Sequence, residues 1–568
     1  MKLIQSNCKG QLPSPNSKAL GAYYTDSLVA DFLASWAIRE KNDTVMDPCF
    51  GGGVFLRSAC KRLELLEGDI NAQVFGVEVD ADVHRQMAPQ LANELEIVPR
   101  RLSQADFFSI DPDAERLVNA IIGNPPYIRY QRFSGAARSL ALRRSELQGV
   151  RLPELCSSWA PFLVHCTAML RPAGRLAMVL PMELTHAKYA RPVLAHLKKS
   201  FGKISLITFR EKLFPDLNED TLLLLAEDRG GTCAKFSLKV LQQLGELPDL
   251  FDDSQRSRSR FTEVDAESLA GGGSRFLEYL MPPRAKRLYN ELKASSSTDR
   301  LGDLAELGIG YVTGANQFFH LSPDDARMRR IPLEFLKLSV RRGRAFSGLV
   351  FTKADWQTAA DQNEASFLLH IARGSSLPVE VKKYIAWGDA QGISAAYKCR
   401  KRSPWFCVPH VHKADAFVSY MSGASPRLVV NKAAAFSSNS LHVLRVRPLS
   451  RKTPEMLAAL WMTSLSRLSA EIEGHPLGGG MLKLEPTEAK NVLLASVDES
   501  TKAALGVLVK ELDCLIRSGK IREAQQRADE TILQGMLGFS QSDCKLLRSA
   551  TDVLRARRGY FEGSNGAA

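Results

Sequence analysis

Long hydrophobic runs are missing from this chain of 568 residues. None approaches the ~18 consecutive apolar residues of a membrane-spanning helix. The first residues lack the basic, apolar and small-residue succession of a secretory signal. Cysteine is sparse, ten residues scattered without the spacing of a disulfide framework, so a reducing, cytoplasmic setting is expected. Metal-ligand spacing is lacking too: Cys399, Cys407, His410 and His412 stand at separations unlike those of zinc sites, and no metal is expected. No repeat and no convincing nuclease constellation is present. Acidic residues run short in the second half only. Residues 1–270 hold 33 Lys+Arg against 33 Asp+Glu, whereas 271–568 hold 42 against 29, which accounts for the whole formal charge of +13. Between 390 and 450, nine basic residues meet one acidic residue, Asp415. A neutral half followed by a basic half suits a catalytic domain joined to a polyanion-binding one.

The length predicts two to four domains. Over residues 20–228, β-rich runs at 44–47, 74–79, 119–122, 175–180, 204–209 and 221–226 alternate with helical patterns, for example at 26–40 and 54–65. Such alternation predicts an open, mostly parallel α/β sheet, with ligands beyond the carboxyl ends of its strands. Residues 229–275, with their glycine pairs and charge runs, read as a linker. A mixed domain is expected over 276–498 and a helical segment over 499–568, where Leu505, Leu508, Leu512 and Leu515, then Ile532, Leu533, Met536 and Leu537, recur at helical spacing.

Four segments carry chemistry. In the first, a strand ends in Asp47-Pro48-Cys49-Phe50-Gly51-Gly52-Gly53 before a helix. The glycines permit positive φ and close approach of a ligand. The segment fits neither the dinucleotide fingerprint nor a P-loop, so a nucleoside-type cofactor is favoured over a phosphate cradle. Glu78 closes the next strand, where a carboxylate can accept from ribose hydroxyls. Asp106 could accept from an adenine amino group, and Phe107 could pack on the ring; read alone, Phe107 is better taken as a core residue. The fourth is Ile121-Ile122-Gly123-Asn124-Pro125-Pro126-Tyr127. Two prolines fix φ and remove two donors, and Asn124 is pushed to extended geometry. The loop displays an amide, bare carbonyls and a ring, which suits a planar group bearing an NH2.

In this order the motifs resemble those of gamma-class N6-adenine DNA methyltransferases, the NPPY-bearing modification enzymes of type II restriction systems. The resemblance is specific over 20–228 and looser after 270. It implies a Rossmann-like class I S-adenosylmethionine-dependent domain over 1–228, a DNA target-recognition domain over 276–498 and the C-terminal helical segment. It implies that Tyr24 and Thr25 border the methionine moiety, that Asp47, Pro48, Gly51 and Gly53 line the cofactor, that Glu78 holds the ribose, and that Asp106 and Phe107 hold the adenine. Asp26 stands where the family has proline and can still serve as a helix N-cap. The catalytic set implied is Asn124, Pro125, Tyr127 and Phe214, the two rings sandwiching a flipped base. A separate cognate endonuclease is expected. An Asn-Pro-Pro-Tyr loop equally suits cytosine N4, an RNA base or a protein glutamine; the basic extension favours DNA over a minimal glutamine enzyme. A non-catalytic DNA-binding module would not need Asp47, Glu78, Asp106 and Asn124 together. Cys49 reads as a small apolar filler.

In the basic half, residues 397–406 interleave cations with aromatics. Lys398, Arg400, Lys401, Arg402 and Trp405 are the candidate DNA contacts, with Arg427, Asn431, Lys432, Asn439 and His442 as further polar candidates. Glycine-rich segments at 308–314 and 478–486 look like ones found in the family's recognition domains.

Overall fold

Five strands carry the first half of a sheet whose carboxyl edge holds the sequence motifs. They are β1 (Val45–Asp47), β2 (Val74–Glu78), β3 (Leu102–Gln104), β4 (Val118–Gly123) and β5 (Leu170–Pro181). The computed structural model describes residues 25–210, 220–251, 261–271 and 275–560. Strands β6 (Phe201–Phe209), β7 (Thr221–Arg229), β8 (Lys235–Leu241) and β9 (Thr262–Asp265) complete the nine-stranded order β3-β2-β1-β4-β5-β7-β6-β8-β9. β1 to β5 pair in parallel; β7 runs antiparallel to both its neighbours. The chain order reverses between β1 and β4, the switch point at which open α/β sheets bind ligands. Residues 229–275 were expected to link two domains. Instead β8 extends the sheet in parallel with β6, and β9 pairs antiparallel with β8, because Phe236, Leu238 and Val264 supply buried apolar side chains.

Central strands are apolar on both faces. Ile121, Ile122 and Leu222 to Ala226 are all 1% exposed or less, as a sheet covered on both sides requires. Helix α1 (Ser27–Ala37) starts at Asp26, whose side chain caps the Leu28 N–H at 2.8 Å. It buries Val29, Ala30, Leu33 and Ala34 against the same core as Phe55, Leu56 and Leu63 of α2 (Val54–Leu65). The expected strands and helices of this unit are found, the helix over Val54–Leu65 with its expected ends and the others with ends shifted. β3 was not expected, since only Leu102 of its three residues is buried.

The two compact units divide after Phe276. In the second, a five-stranded sheet runs in the order 305–309, 441–446, 416–419, 428–431, 350–351, beside a four-stranded sheet of 320–321, 367–369, 336–340 and 436–437. The helices after 499 belong to this unit. Leu505, Leu508, Leu512, Ile532 and Leu533 are buried, as their spacing predicts. Asp513 accepts from the Leu349 and Val350 N–H at 2.6 and 2.9 Å, and Arg517 pairs with Asp355 at 2.6 Å. Arg555 and Arg558 of the terminal helical region converge on Glu471 at 3.2 and 2.9 Å, all three nearly fully buried. No helix among the described residues is long and apolar enough to cross a membrane, and no group of three or more His, Cys, Asp and Glu among them could hold a metal ion.

Candidate active site

The carboxyl ends of β1, β2 and β4 meet around one buried carboxylate. Asp47, 1% exposed, accepts the Cys49 N–H at 3.1 Å through Oδ1. Its Oδ2 is buried with no hydrogen-bond partner among the described residues. Burial pushes the Asp47 carboxyl up to about 8; the Cys49 N–H opposes this and the neighbouring Glu78 adds to it. A buried, unsatisfied oxygen is costly, and a cationic ligand group would relieve it.

The glycine turn shapes the space beside Asp47. Gly51 has φ +46° and a Cβ there would meet only the Cys49 carbonyl, at 4.0 Å. Its N–H donates to Glu78 Oε2 at 2.9 Å, and Glu78 Oε1 accepts from the Asp80 N–H at 2.8 Å. The carboxylate at the end of β2 is thus tied to the turn after β1 while each oxygen keeps a second lone pair. Gly53 has φ +78°, and a Cβ would fall 2.4 Å from Leu91 Cδ2. It lets the turn pack closely against Leu91 of the helix Ala81–Glu94. At the end of β4, a Cβ on Gly123 would lie 3.1 Å from Asp47 Oδ1 and 3.6 Å from Pro48 Cδ. Asp106 caps the Phe108 N–H at 3.0 Å. Phe107 is buried, with Phe162 and His165 at 4.8 and 4.7 Å; its ring belongs chiefly to the core.

Asn124 is held from three sides. Its Nδ2 donates to Thr25 Oγ1 at 3.2 Å, its Oδ1 accepts from Tyr127 Oη at 2.5 Å, and its carbonyl accepts from Cys49 Sγ at 3.3 Å. Burial, then Asp47 and Glu78, push the Cys49 thiol well up, so it stays protonated and able to donate. Cys49 is therefore more than filler: it ties the glycine turn to the Asn-Pro-Pro-Tyr loop. Spacing gave no sign of this, because the bond spans 75 residues. The Tyr127 hydroxyl also lies 3.0 Å from the Val179 carbonyl, so its one hydrogen is shared between two acceptors, and the residue is 5% exposed; its ring is anchored in the wall of the site rather than standing open. The Pro125 carbonyl carries no backbone donor among the described residues. Tyr24 and Phe214 lie outside the described residues.

In the second unit Lys398, Arg400 and Lys401 are exposed, the first two stacked 5.6 and 5.5 Å from the Tyr397 ring. Two of the expected DNA contacts have other work. Arg402 donates to the Val312 and Thr313 carbonyls, and Trp405 packs 5.0 Å from Phe318. Arg427, Asn431 and His442 likewise bind backbone carbonyls, of Phe346 and Gly348, of Ala414 and Ala435, and of Leu484.

Residues 11–190 match the family described as N-6 DNA Methylase, and residues 273–533 match that described as the C-terminal domain of type II methyltransferase M.Eco57I. Type II methyltransferase M.XamI of Xanthomonas campestris pv. amaranthicola is 22% identical over 504 residues, 84% of this chain and 85% of its own length. M.HindII of Haemophilus influenzae is 20% identical over 54% of this chain, which spans 56% of that protein. The type IIL restriction-modification enzyme MmeI, solved in complex with DNA, shares the fold at a TM-score of 0.56 and 13% identity, over 96% of this chain and 80% of its own. The methyl donor of such DNA methylases is S-adenosylmethionine. The site fits it: a buried carboxylate with an unsatisfied oxygen, a glycine turn open at Gly51, and Glu78 at the end of β2. With one family matched on the sheet unit, another on the basic unit and a relative aligned along 84% of the chain, this protein is similar to the DNA methyltransferases of type II restriction–modification systems along most of its length.

Proposed function

We propose that the chain methylates adenine N6 of a flipped-out base in duplex DNA, protecting its host DNA against a separate cognate endonuclease. The observation that carries the reading is the Asn124 amide, fixed between Thr25 and Tyr127 beside a Pro125 carbonyl without a backbone donor among the described residues. An exocyclic amine conjugated to a purine is a weak nucleophile, because its lone pair is delocalised into the ring. Two acceptors, Asn124 Oδ1 and Pro125 O, take its two hydrogens, favour a more tetrahedral nitrogen and stabilise the positive charge that develops on it. S-adenosylmethionine supplies a methyl group on a positively charged sulfur, so no nucleophilic side chain is needed. Asp47 and Glu78 hold the donor side, and the proline-stiffened loop holds the acceptor side, which leaves orientation as the main task of the protein. The target base must leave the duplex to reach a loop at the sheet edge. Exposed Lys398, Arg400 and Lys401 suit the phosphate backbone.

The test is incubation with tritiated S-adenosylmethionine and duplex DNA, followed by nucleoside analysis. Label is expected in N6-methyladenine, with kcat about 10²–10³-fold lower for Asn124→Ala and DNA affinity retained. Label in N4-methylcytosine or in protein would replace this reading.

A further inference from the structure

A loop with consecutive prolines has a holding problem. Pro125 and Pro126 donate nothing, so the backbone that presents the Pro125 carbonyl can be fixed only through its acceptors and its flanking residues. On the upstream side Cys49 and Thr25 hold Asn124. On the downstream side, beside the Tyr127 hydroxyl at Asn124 and Val179, Ser158 holds the backbone at two residues. Ser158 Oγ donates to the Pro126 carbonyl and accepts the Ile128 N–H at 2.9 Å, and the Ser158 N–H donates to the Ile128 carbonyl at 3.0 Å. Ser158 is 2% exposed and sits at the N-cap of the helix Trp159–Ala168. Its hydroxyl does not cap that helix; it is turned to the loop.

The residues beside it are anchored in turn. Glu183 Oε2, just beyond the end of β5, accepts from Ser157 Oγ at 3.3 Å, from Trp159 Nε1 at 3.2 Å and from the Tyr189 hydroxyl. Trp159 is fully buried. The clamp therefore rests on a wall fixed on both sides of Ser158.

We propose that Ser158 is a positioning residue for methyl transfer: it sets the aim of the Pro125 carbonyl by clamping Pro126 and Ile128, with Glu183 as the anchor of the clamp. This rests on the reading of residues 124–127 as the catalytic loop. Each group in the clamp touches the loop or its support and none touches the reacting atoms. Losing the clamp leaves the cofactor turn intact and lets the acceptor drift, so the cost falls on turnover rather than on binding.

The experiment compares wild type, Ser158→Ala and Ser158→Thr by single-turnover methylation, by S-adenosylmethionine and DNA affinity, and by amide hydrogen exchange. For Ser158→Ala the expected results are a turnover about 10- to 100-fold slower, both affinities within about twofold, since the loop's anchoring and not the binding surface is changed, and faster exchange at the Ile128 amide. Ser158→Thr, which keeps the hydroxyl, should recover most of the rate. Unchanged turnover, or unchanged exchange at Ile128, overturns the proposal, as does loss of cofactor binding in step with turnover. Should Ser158→Ala not fold, Glu183→Gln is read in the same way. If the wild-type protein transfers methyl to no DNA, the functional reading fails by itself, and exchange at Ile128 still decides whether Ser158 holds the loop.

Discussion

Tyr127 Oη stands 2.5 Å from Asn124 Oδ1, so a phenol three residues away holds the oxygen that, in the function proposed above, accepts a substrate hydrogen. The same hydroxyl reaches the Val179 carbonyl at 3.0 Å. An amino group entering the site can therefore displace the contact with Asn124 while Tyr127 keeps Val179.

Tyr127→Phe should separate these roles. Losing one neutral hydrogen bond costs about 1 kcal/mol, so kcat/KM should fall by about tenfold or less. Steady-state methylation checks this; a loss as large as that of Asn124→Ala would mean that the hydroxyl takes part in transfer itself.

Asp47 gives a pH signature. Its folded value of about 8 lies above the ordinary 3.8. Between those limits the folded protein holds a proton that the unfolded chain has lost. Stability from this group is therefore present at low pH and declines as pH rises through the window, by up to about 1.4 kcal/mol per pH unit. Thermal unfolding of the cofactor-free protein from pH 5 to 8 should show the slope, and Asp47→Asn should flatten it. A cationic cofactor favours the carboxylate, so binding at pH 7 should release a proton, measurable by calorimetry in two buffers of different ionisation enthalpy.

Gly51 and Gly53 of the turn should fail differently. Gly53→Ala places a methyl 2.4 Å from Leu91 at φ +78°; strain and overpacking together should cost about 3 kcal/mol, seen as lost unfolding free energy. Gly51→Ala meets nothing nearer than 4.0 Å at φ +46°. It should fold with a loss of about 1–2 kcal/mol and bind S-adenosylmethionine more weakly.

In the basic unit, Lys398→Ala and Lys401→Ala should each lower the salt dependence of DNA binding by about one phosphate contact and leave unfolding unchanged. Arg402→Ala strips the partner from the Val312 and Thr313 carbonyls. It should destabilise the unit by about 1–3 kcal/mol, with no separate effect on the salt slope.

What the sequence revealed, and what it hid, divides by range of contact. The helix over Val54–Leu65 and the strand ends at Asp47, Glu78 and Gly123 follow from local apolar patterning and glycine spacing, and they place the site. β3 escaped notice because Ser103 and Gln104 are exposed and only Leu102 marks it. The roles of Arg402, Arg427, Asn431 and His442 were hidden for another reason. Apart from Ala435, four residues on from Asn431, the carbonyls they bind lie 17 to 90 residues away, so a polar residue in an acid-poor stretch looks the same whether it meets DNA or its own backbone. The two strands in the supposed linker were masked by the glycine pairs and charge runs around them.

The buried convergence of Arg555 and Arg558 on Glu471 decides how the protein can be cut and joined. A truncation ending before Arg555 would leave an uncompensated carboxylate inside the second unit, a loss of about 3–5 kcal/mol when a buried pair is broken from one side. The last helix is thus a keystone of the basic unit and no detachable tail. A tag, a fluorescent protein or a grafted nuclease has to be joined beyond Arg558, and specificity exchanges between relatives have to carry Glu471 and its two arginines together.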